Sequence, residues 1–107
     1  MRTTAGAPDH AATVYAQVLT ERTTSERCGE LDATIRDRLM PSLRVQEGFC
    51  GALHLFNRAT AAGMLVIFWE TEEQAHRAAS LPEIAALAPV AGASLERASV
   101  WEVTQRT

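Results

Sequence analysis

Hydrophobic positions alternate with other residues along the first part of the chain, from residue 12 to residue 21. Successive side chains of a strand point to opposite faces, so a period of two predicts a first strand here. One predicted face carries Val14, Ala16, Val18 and Thr20, and the other carries Tyr15, Gln17, Leu19 and Glu21.

The spacing of hydrophobic residues changes to three and four after residue 24. This spacing places side chains on one side of a helix, and Thr24 or Ser25 can cap its first turn. The predicted core-facing stripe consists of Cys28, Leu31, Ile35 and Leu39. Pro41 is expected to end or bend this first helix, because proline lacks the backbone N–H that a helix interior needs.

Two runs rich in strand-forming residues follow, FCGALHLFNR at residues 49–58 and GMLVIFWE at residues 63–70. Four residues separate them, which predicts a hairpin. The next helix is expected to begin at Glu72, because Thr71 and Gln74 stand at the positions of a capping box. A proline further on, at position 82, is expected to interrupt that helix and to start a short second piece.

The last strand is predicted at residues 95–103, after Pro89 and Gly92 have ended the helical stretch. The element order is therefore β-α-β-β-α-β, that of a ferredoxin-like α+β domain with a four-stranded antiparallel sheet and both helices on one face. A chain of 107 residues has room for one such core, which we place at residues 12–107. Residues 1–11 are small and polar and are predicted to form a mobile extension.

The sheet face away from the helices is expected to be apolar as well, because residues 64–69 are hydrophobic at every position. A half-solvated antiparallel sheet should alternate apolar and polar residues instead. Each Å² of apolar surface left in water costs about 25 cal/mol. A second copy that packs sheet against sheet would cover this face, so the pattern predicts a homodimer.

Composition and charge narrow the possible functions. The net charge is -3, and no arginine-rich run with interleaved aromatic residues occurs, so neither a nucleic acid nor an anionic membrane is expected as a partner. No apolar run is long enough to cross a bilayer and no signal peptide is evident, which favours a cytoplasmic location. All ten basic residues are arginines, which excludes a Schiff-base lysine and a lysine-containing phosphate loop. Cys28 and Cys50 are isolated and predict neither a metal site nor a disulfide framework.

Three segments carry a family resemblance: EGFCG at residues 47–51, FNRATAAGMLVIFWE at residues 56–70 and TEEQA at residues 71–75. Together they resemble the antibiotic biosynthesis monooxygenase (ABM) family of dimeric α+β barrels, over roughly residues 12–104. The resemblance implies a homodimer that binds a small hydrophobic or aromatic substrate between sheet and helices. Some members of the family oxygenate aromatic polyketides without metal or flavin, so no cofactor is expected.

The resemblance also implies a role for Trp69, since members that act on flat aromatic ligands have a Trp at this position. A Trp ring can stack on another ring and donate its N–H, although Trp69 could equally well only fill the core. The oxygenating members carry an Asn where this chain has Leu65, which weakens the case for oxygenation. Haem-degrading members use a His near the end of the second helix, where residues 84–89 offer no ligand.

His54 is the candidate general base, because an imidazole near its ordinary pKa can accept a proton at neutral pH. A symmetric four-residue hairpin loop would place it opposite Ile67, on the same face as Trp69. The alternative is a core or interface histidine that is merely hydrogen-bonded. The other predicted substrate-binding residues are Phe56, Leu65, Ile67, Leu39 and, at the edge of the second helix, His76.

Three functions stay open at this point. The first is a cofactor-independent monooxygenase of secondary metabolism, in which His54 removes a proton from an aromatic, polyketide-like compound and Trp69 orients the ring. The second is a polyketide cyclase or isomerase that uses the same pocket without oxygen. The third is a non-catalytic accessory dimer that binds a small ligand, which the lack of a paired acid and base in the sequence favours.

Overall fold

A computed structural model describes residues 13–78, 80–87 and 94–107. Its elements in chain order are β1 (Val14–Arg22), α1 (Cys28–Thr34), a π-helical segment (Ile35–Leu39), α2 (Met40–Arg44), β2 (Phe49–Asn57), β3 (Ala62–Trp69), α3 (Glu72–Ala78), α4 (Pro82–Ala85) and β4 (Ser94–Val103). The predicted extension at residues 1–11 and the predicted break at Pro89 and Gly92 lie outside the described residues.

The four strands form one antiparallel sheet in the order β2-β3-β1-β4. This order confirms the predicted ferredoxin-like α+β fold. β1 and β3 are the central strands, whereas β2 and β4 lie at the two edges. A side chain on β2 can therefore border solvent at the sheet edge as well as the layer of helices.

The helical stretch from residue 28 to residue 44 confirms the predicted stripe, since Cys28, Leu31, Ile35 and Leu39 are all buried. Pro41 does not end the helix, contrary to one of the two expectations for it. Instead, the π-helical segment directly precedes the Pro41 turn, and the backbone N–H of Met40 bonds to the carbonyl of Ile35. A π turn is wider than an α turn, which relieves the clash that a proline ring would make with the preceding turn.

The predicted register of the hairpin is wrong by two residues: His54 pairs with Leu65 and not with Ile67. The side chain of Asn57 accepts hydrogen bonds from the backbone N–H groups of Ala59 and Thr60, which closes the loop one residue earlier on β2. β3 correspondingly starts one residue earlier. A shift of two residues preserves the face, so His54 still lies on the helix side of the sheet.

A β-bulge at Cys50 decides which face the beginning of β2 presents. Phe49 pairs with Trp69, but Gly51 pairs with Phe68, so one extra residue is inserted on β2. In a regular strand, Phe49 and His54 would point to opposite faces, because they are an odd number of residues apart. The extra residue of the bulge places both side chains on the helix side. Gly51 has φ +145°, a conformation that other residues rarely adopt.

The predicted capping box at the start of α3 is confirmed. The backbone N–H of Gln74 donates to Oγ1 of Thr71 at 3.1 Å, and the backbone N–H of Thr71 donates to Oε1 of Gln74 at 3.1 Å. None of the helices that the structure describes is long and apolar enough to span a bilayer.

The two faces of the sheet differ in what covers them. The helix side is packed, and its core is formed by Leu19, Leu31, Ile35, Leu39, Leu43, Leu65, Ile67, Trp69, Ala75, Ala78, Ile84 and Leu87. The opposite side, which we call the open face, exposes the large hydrophobic residues Leu53, Leu55, Met64 and Trp101. These four come from β2, β3 and β4, so both edge strands of the sheet contribute exposed apolar side chains.

Candidate functional site

Three side chains from three elements meet on the helix side of the sheet. Nε2 of His54 on β2 lies 2.6 Å from Oε1 of Glu21 on β1, and Nδ1 of the same imidazole lies 2.8 Å from Oδ1 of Asp32 on α1. Both ring nitrogens of His54 therefore face a carboxylate. We call this arrangement the carboxylate–histidine triad.

Glu21 can reach His54 because β3, the strand that lies between them, carries a glycine there. Glu21 pairs with Gly63 in the sheet, and Phe56 on β2 pairs with the other side of the same glycine. A Cβ atom on Gly63 would lie 2.9 Å from both Cγ and Oε1 of Glu21. The missing side chain thus makes the space in which the Glu21 side chain crosses β3.

The three members of the triad differ sharply in their contact with water. The side chain of Glu21 is 1% exposed, that of His54 is 8% exposed, and that of Asp32 is 50% exposed. Oε2 of Glu21 has no hydrogen-bond partner among the described residues. The triad therefore runs from a fixed, buried carboxylate through the imidazole to a carboxylate that can move into solvent.

The surroundings of His54 act on its protonation in both directions. Burial lowers the pKa of the imidazole, but the hydrogen bonds and charges of Glu21 and Asp32 outweigh burial and raise the pKa above its ordinary value of 6.5. The protonated ring is the form that donates to both carboxylates. The two carboxylates thus favour the protonated ring, which donates protons, over the neutral imidazole that a general base requires.

An open groove of about 360 Å³ runs along α1 and α2 beside the edge strand β2. The residues that line it are Asp32, Ile35, Arg36, Met40, Arg44 and His54. The π-helical segment forms part of its wall, and such segments are frequent at functional sites. The exposed end of the triad opens into this groove, so a small molecule could contact Asp32 and His54 together.

This geometry provides a base and an acid side by side. The ionised carboxylate of Asp32 can turn away from the ring and accept a proton from a bound molecule. The Nδ1–H of the imidazolium, freed from Asp32, can then donate to an oxygen that becomes negatively charged. Glu21 holds the ring in place and compensates its charge. The paired acid and base that are not evident in the sequence are thus present in the fold.

Trp69 lies elsewhere, in a different cavity from His54. It is buried, its ring meets that of Phe49 edge to face at a centroid distance of 6.0 Å, and its Nε1 has no hydrogen-bond partner among the residues described. It borders a cavity of about 200 Å³, together with Gln46, Glu47, Gln74, Arg77, Ala78 and Leu81. The register separates the two candidates by four positions of β3, or roughly 13 Å.

The remaining predicted site residues are dispersed. Leu39, Leu65 and Ile67 are buried in the packed core and do not border the groove. Phe56 is half-buried, 6.0 Å from the guanidinium carbon of Arg58. His76 is exposed on α3, with its Nε2 3.5 Å from Oε2 of Glu72, and it does not border the groove.

Glu21 and Asp32 are the two residues of the site that the sequence interpretation missed. A signal for each was available. Glu21 continues the face of β1 that carries Leu19, so a carboxylate at this position had to be either buried or at the strand end. Asp32 follows Cys28 by four residues and therefore borders the buried stripe of α1, although its own side chain is half-exposed.

Known proteins resemble this chain in structure but not in sequence. No family model matches the sequence, and no curated protein does. A protein from Deinococcus radiodurans that bears the provisional name antibiotic biosynthesis monooxygenase superposes with a TM-score of 0.66 at 12% identity, over 88% of this chain and 95% of the other. A conserved protein from Methanosarcina mazei superposes with a TM-score of 0.65 at 9% identity, over 92% of this chain and 99% of the other.

A third structure resembles the chain at somewhat lower similarity. SnoaB, a cofactor-independent oxygenase from Streptomyces nogalater, superposes with a TM-score of 0.53 at 17% identity, over 89% of this chain and 93% of the other. These likenesses extend over nearly the whole of each protein, so they concern the complete domain and not a shared fragment. The chain therefore has the fold of the antibiotic biosynthesis monooxygenase family.

Proposed function

We propose that the chain is a cofactor-independent oxygenase that acts on a small aromatic, polyketide-like molecule bound in the groove. The observation that carries this proposal is the contact of His54 with the buried Glu21 at 2.6 Å and with the half-exposed Asp32 at 2.8 Å. A reaction that begins with removal of a proton needs such a pair of groups. The oxygenase name of SnoaB, a protein of the same fold, supports the same class of reaction.

In the proposed reaction, Asp32 turns away from Nδ1 of His54 and accepts a proton from an acidic carbon of the substrate. The freed Nδ1–H of the imidazolium donates to the substrate oxygen that takes up the negative charge, while Glu21 keeps its contact with Nε2. The resulting electron-rich anion reacts with molecular oxygen. One oxygen atom stays on the carbon as a carbonyl, and the other leaves as water with the two hydrogens that the carbon carried. The CH2 carbon of the substrate supplies the two electron pairs that reduce molecular oxygen, so no external reductant is required.

A polyketide cyclase or isomerase is the second candidate. The triad supports it as well as it supports the oxygenase in one respect, the transfer of protons. Asp32 and His54 can return a proton as readily as they remove it, and neither step requires oxygen. The mass of the product separates the two reactions, because only the oxygenase adds an oxygen atom. Ligand binding without any reaction would support the third function, that of a non-catalytic accessory protein.

We also propose that the chain works as a cytoplasmic homodimer joined through its open face. The exposed side chains of Leu53, Leu55, Met64 and Trp101 support this assembly. Leu55 and Trp101 are 52% and 61% exposed, on opposite edge strands of one sheet. Exposed apolar surface of this extent is typical of protein interfaces.

The test is oxygen uptake with dithranol, a dihydroxyanthrone whose central carbon carries two acidic hydrogens. Purified chain should consume oxygen above the uncatalysed rate and yield the anthraquinone. His54→Gln should reduce the rate at least about a hundredfold, the usual contribution of general acid–base catalysis. His76→Gln is the matched control, because His76 is exposed on α3, and it should keep the rate of the unaltered chain. Equal rates for the two variants would refute the role of His54.

A further inference from the structure

The groove beside the triad is lined by side chains four residues apart on one helical stretch: Asp32, Arg36, Met40 and Arg44. In a regular α-helix, residues four apart are rotated by about 40° relative to each other, so such a row gradually leaves the face it starts on. The π-helical segment Ile35–Leu39 lies in the middle of the row. Its wider turn counteracts the drift, and all four side chains border the same groove.

The charges along the row are not balanced. Arg36 is already paired, because its Nε and Nη2 donate to the two carboxylate oxygens of Asp37 at 2.8 and 3.1 Å. Arg44 has no hydrogen-bond or ion-pair partner among the residues described, and it is exposed. The carboxylate of Asp32 pairs with the imidazole of His54, with 2.8 Å between Oδ1 and Nδ1. One unpaired positive charge therefore remains, at the end of the groove opposite the triad.

Between the two charged ends, the groove is lined by two apolar side chains in addition to the paired Arg36. Ile35 is buried beneath the groove, and Met40 is half-buried on its wall. From Asp32 to Arg44 the helix rises by roughly 18 Å, at 1.5 Å for each residue. The groove volume of about 360 Å³ lies within the range of small-molecule sites. This volume and length are of the order that a flat body of two or three fused rings requires.

We propose that Arg44 forms a subsite for a carboxylate group, so that the groove selects an aromatic acid and orients its reactive end toward Asp32 and His54. This inference rests on the proposed function for the identity of the reactive end, but binding of the acid does not depend on turnover. A guanidinium is suited to this ligand because it can donate two parallel N–H groups to the two oxygens of a carboxylate. Arg44 thereby determines specificity and takes no part in proton transfer.

The test compares two ligands of nearly the same shape, a negatively charged naphthalene carboxylate and its neutral primary amide, by titration calorimetry with the full chain. The unaltered chain should bind the carboxylate about tenfold more tightly than the amide, as expected for a charged hydrogen-bonded pair at a partly exposed site. Arg44→Met should abolish this preference and leave the affinity for the amide unchanged. Arg38→Met is the matched control, since Arg38 lies on the same helical stretch but borders a different cavity with Thr34 and Ser42.

Each outcome decides the inference independently of the reaction. Equal affinity of the unaltered chain for the two ligands overturns the carboxylate subsite, and so does no detectable binding of the carboxylate. An equal loss in both arginine variants also overturns it, because the effect would then come from overall charge. Turnover of the uncharged dithranol is measured separately, so the proposed oxygenase can stand when the subsite fails, and the subsite can stand when the oxygenase fails.

Discussion

Nε2 of His54 lies 2.6 Å from Oε1 of Glu21, a carboxylate whose side chain is 1% exposed. A buried carboxylate is strongly disfavoured unless a positive charge or hydrogen-bond donors compensate it. His54 provides both when it is protonated. The pair is thus held together in its charged form, and Asp32 at the rim extends it to the groove.

The first prediction concerns the pH dependence of stability. The pKa of His54 is raised above 6.5 in the folded chain, so its protonation stabilises the fold fully below about pH 6.5. This contribution is lost as the pH rises through the raised pKa. Urea unfolding of the unaltered chain should therefore show a loss of stability as the pH is raised above about 6.5 and through the raised pKa of His54.

The double variant His54→Phe/Glu21→Gln serves as the reference for this measurement, because it lacks both the imidazole and the buried carboxylate that responds to its charge. Glu21, Asp32 and the two arginines of the groove, Arg36 and Arg44, are the charged groups near the imidazole. The difference in unfolding free energy between the two chains should shrink as the pH rises. A difference that stays constant over this range would show that His54 is not charged in the fold.

The second prediction tests the space that Gly63 leaves for Glu21. Gly63→Ala would bring a methyl group to within 2.9 Å of Glu21, which should displace the carboxylate from His54 and destabilise the fold by about 1–3 kcal/mol. Gly29→Ala is the control, since nothing lies within 4 Å of a methyl group there. In α1 that change should stabilise by about 0.5–1 kcal/mol. Similar effects of the two substitutions on thermal unfolding would argue against a crossing of β3 by Glu21.

The third prediction concerns Gln17, a buried amide on the helix side of β1. Neither its oxygen nor its nitrogen has a hydrogen-bond partner among the described residues. Burying such a group costs about 1–3 kcal/mol, and Leu has a similar volume. Gln17→Leu should therefore raise the unfolding free energy by about 1 kcal/mol or more. A marked loss of stability would indicate that the amide is hydrogen-bonded in solution, for example to an internal water.

The fourth prediction addresses the open face. Leu55→Arg should convert the proposed dimer to a monomer, because the guanidinium would have to be buried without a partner in the interface. Val45→Arg is the matched control, since Val45 is 82% exposed and lies outside the sheet, after α2. Sedimentation at micromolar concentration distinguishes the two. A monomeric unaltered chain would contradict the dimer directly.

The fold could be predicted from the sequence because periodicity, caps and breakers agreed with each other. The stripe from Cys28 to Leu39 and the capping box at Thr71 are local patterns, and the structure confirms both. The pairing of His54 with Leu65 could not be predicted, since it depends on how the side chain of Asn57 closes the loop. A pattern of hydrophobic residues fixes the face of a strand but not its register.

The site itself depends on contacts between residues that are far apart in the sequence. Glu21 and His54 are 33 residues apart, and Asp32 and His54 are 22 apart. No short motif relates such positions. Trp69 could be identified because its surroundings are a recognisable motif, yet that motif carries no information on which cavity the ring borders. The sequence thus indicates single candidates, and the fold determines which of them act together.

Hydrogen exchange measures directly, and without any dependence on oxygen, whether Asp32 and His54 remove a proton from a bound aromatic substrate. Dithranol in deuterated water under argon should exchange its central hydrogens faster in the presence of the chain. We expect Asp32→Asn and Glu21→Gln to lower the enzymatic exchange rate at least about tenfold each. An exchange rate equal to that of the buffer alone, or one that both variants retain, would contradict the account.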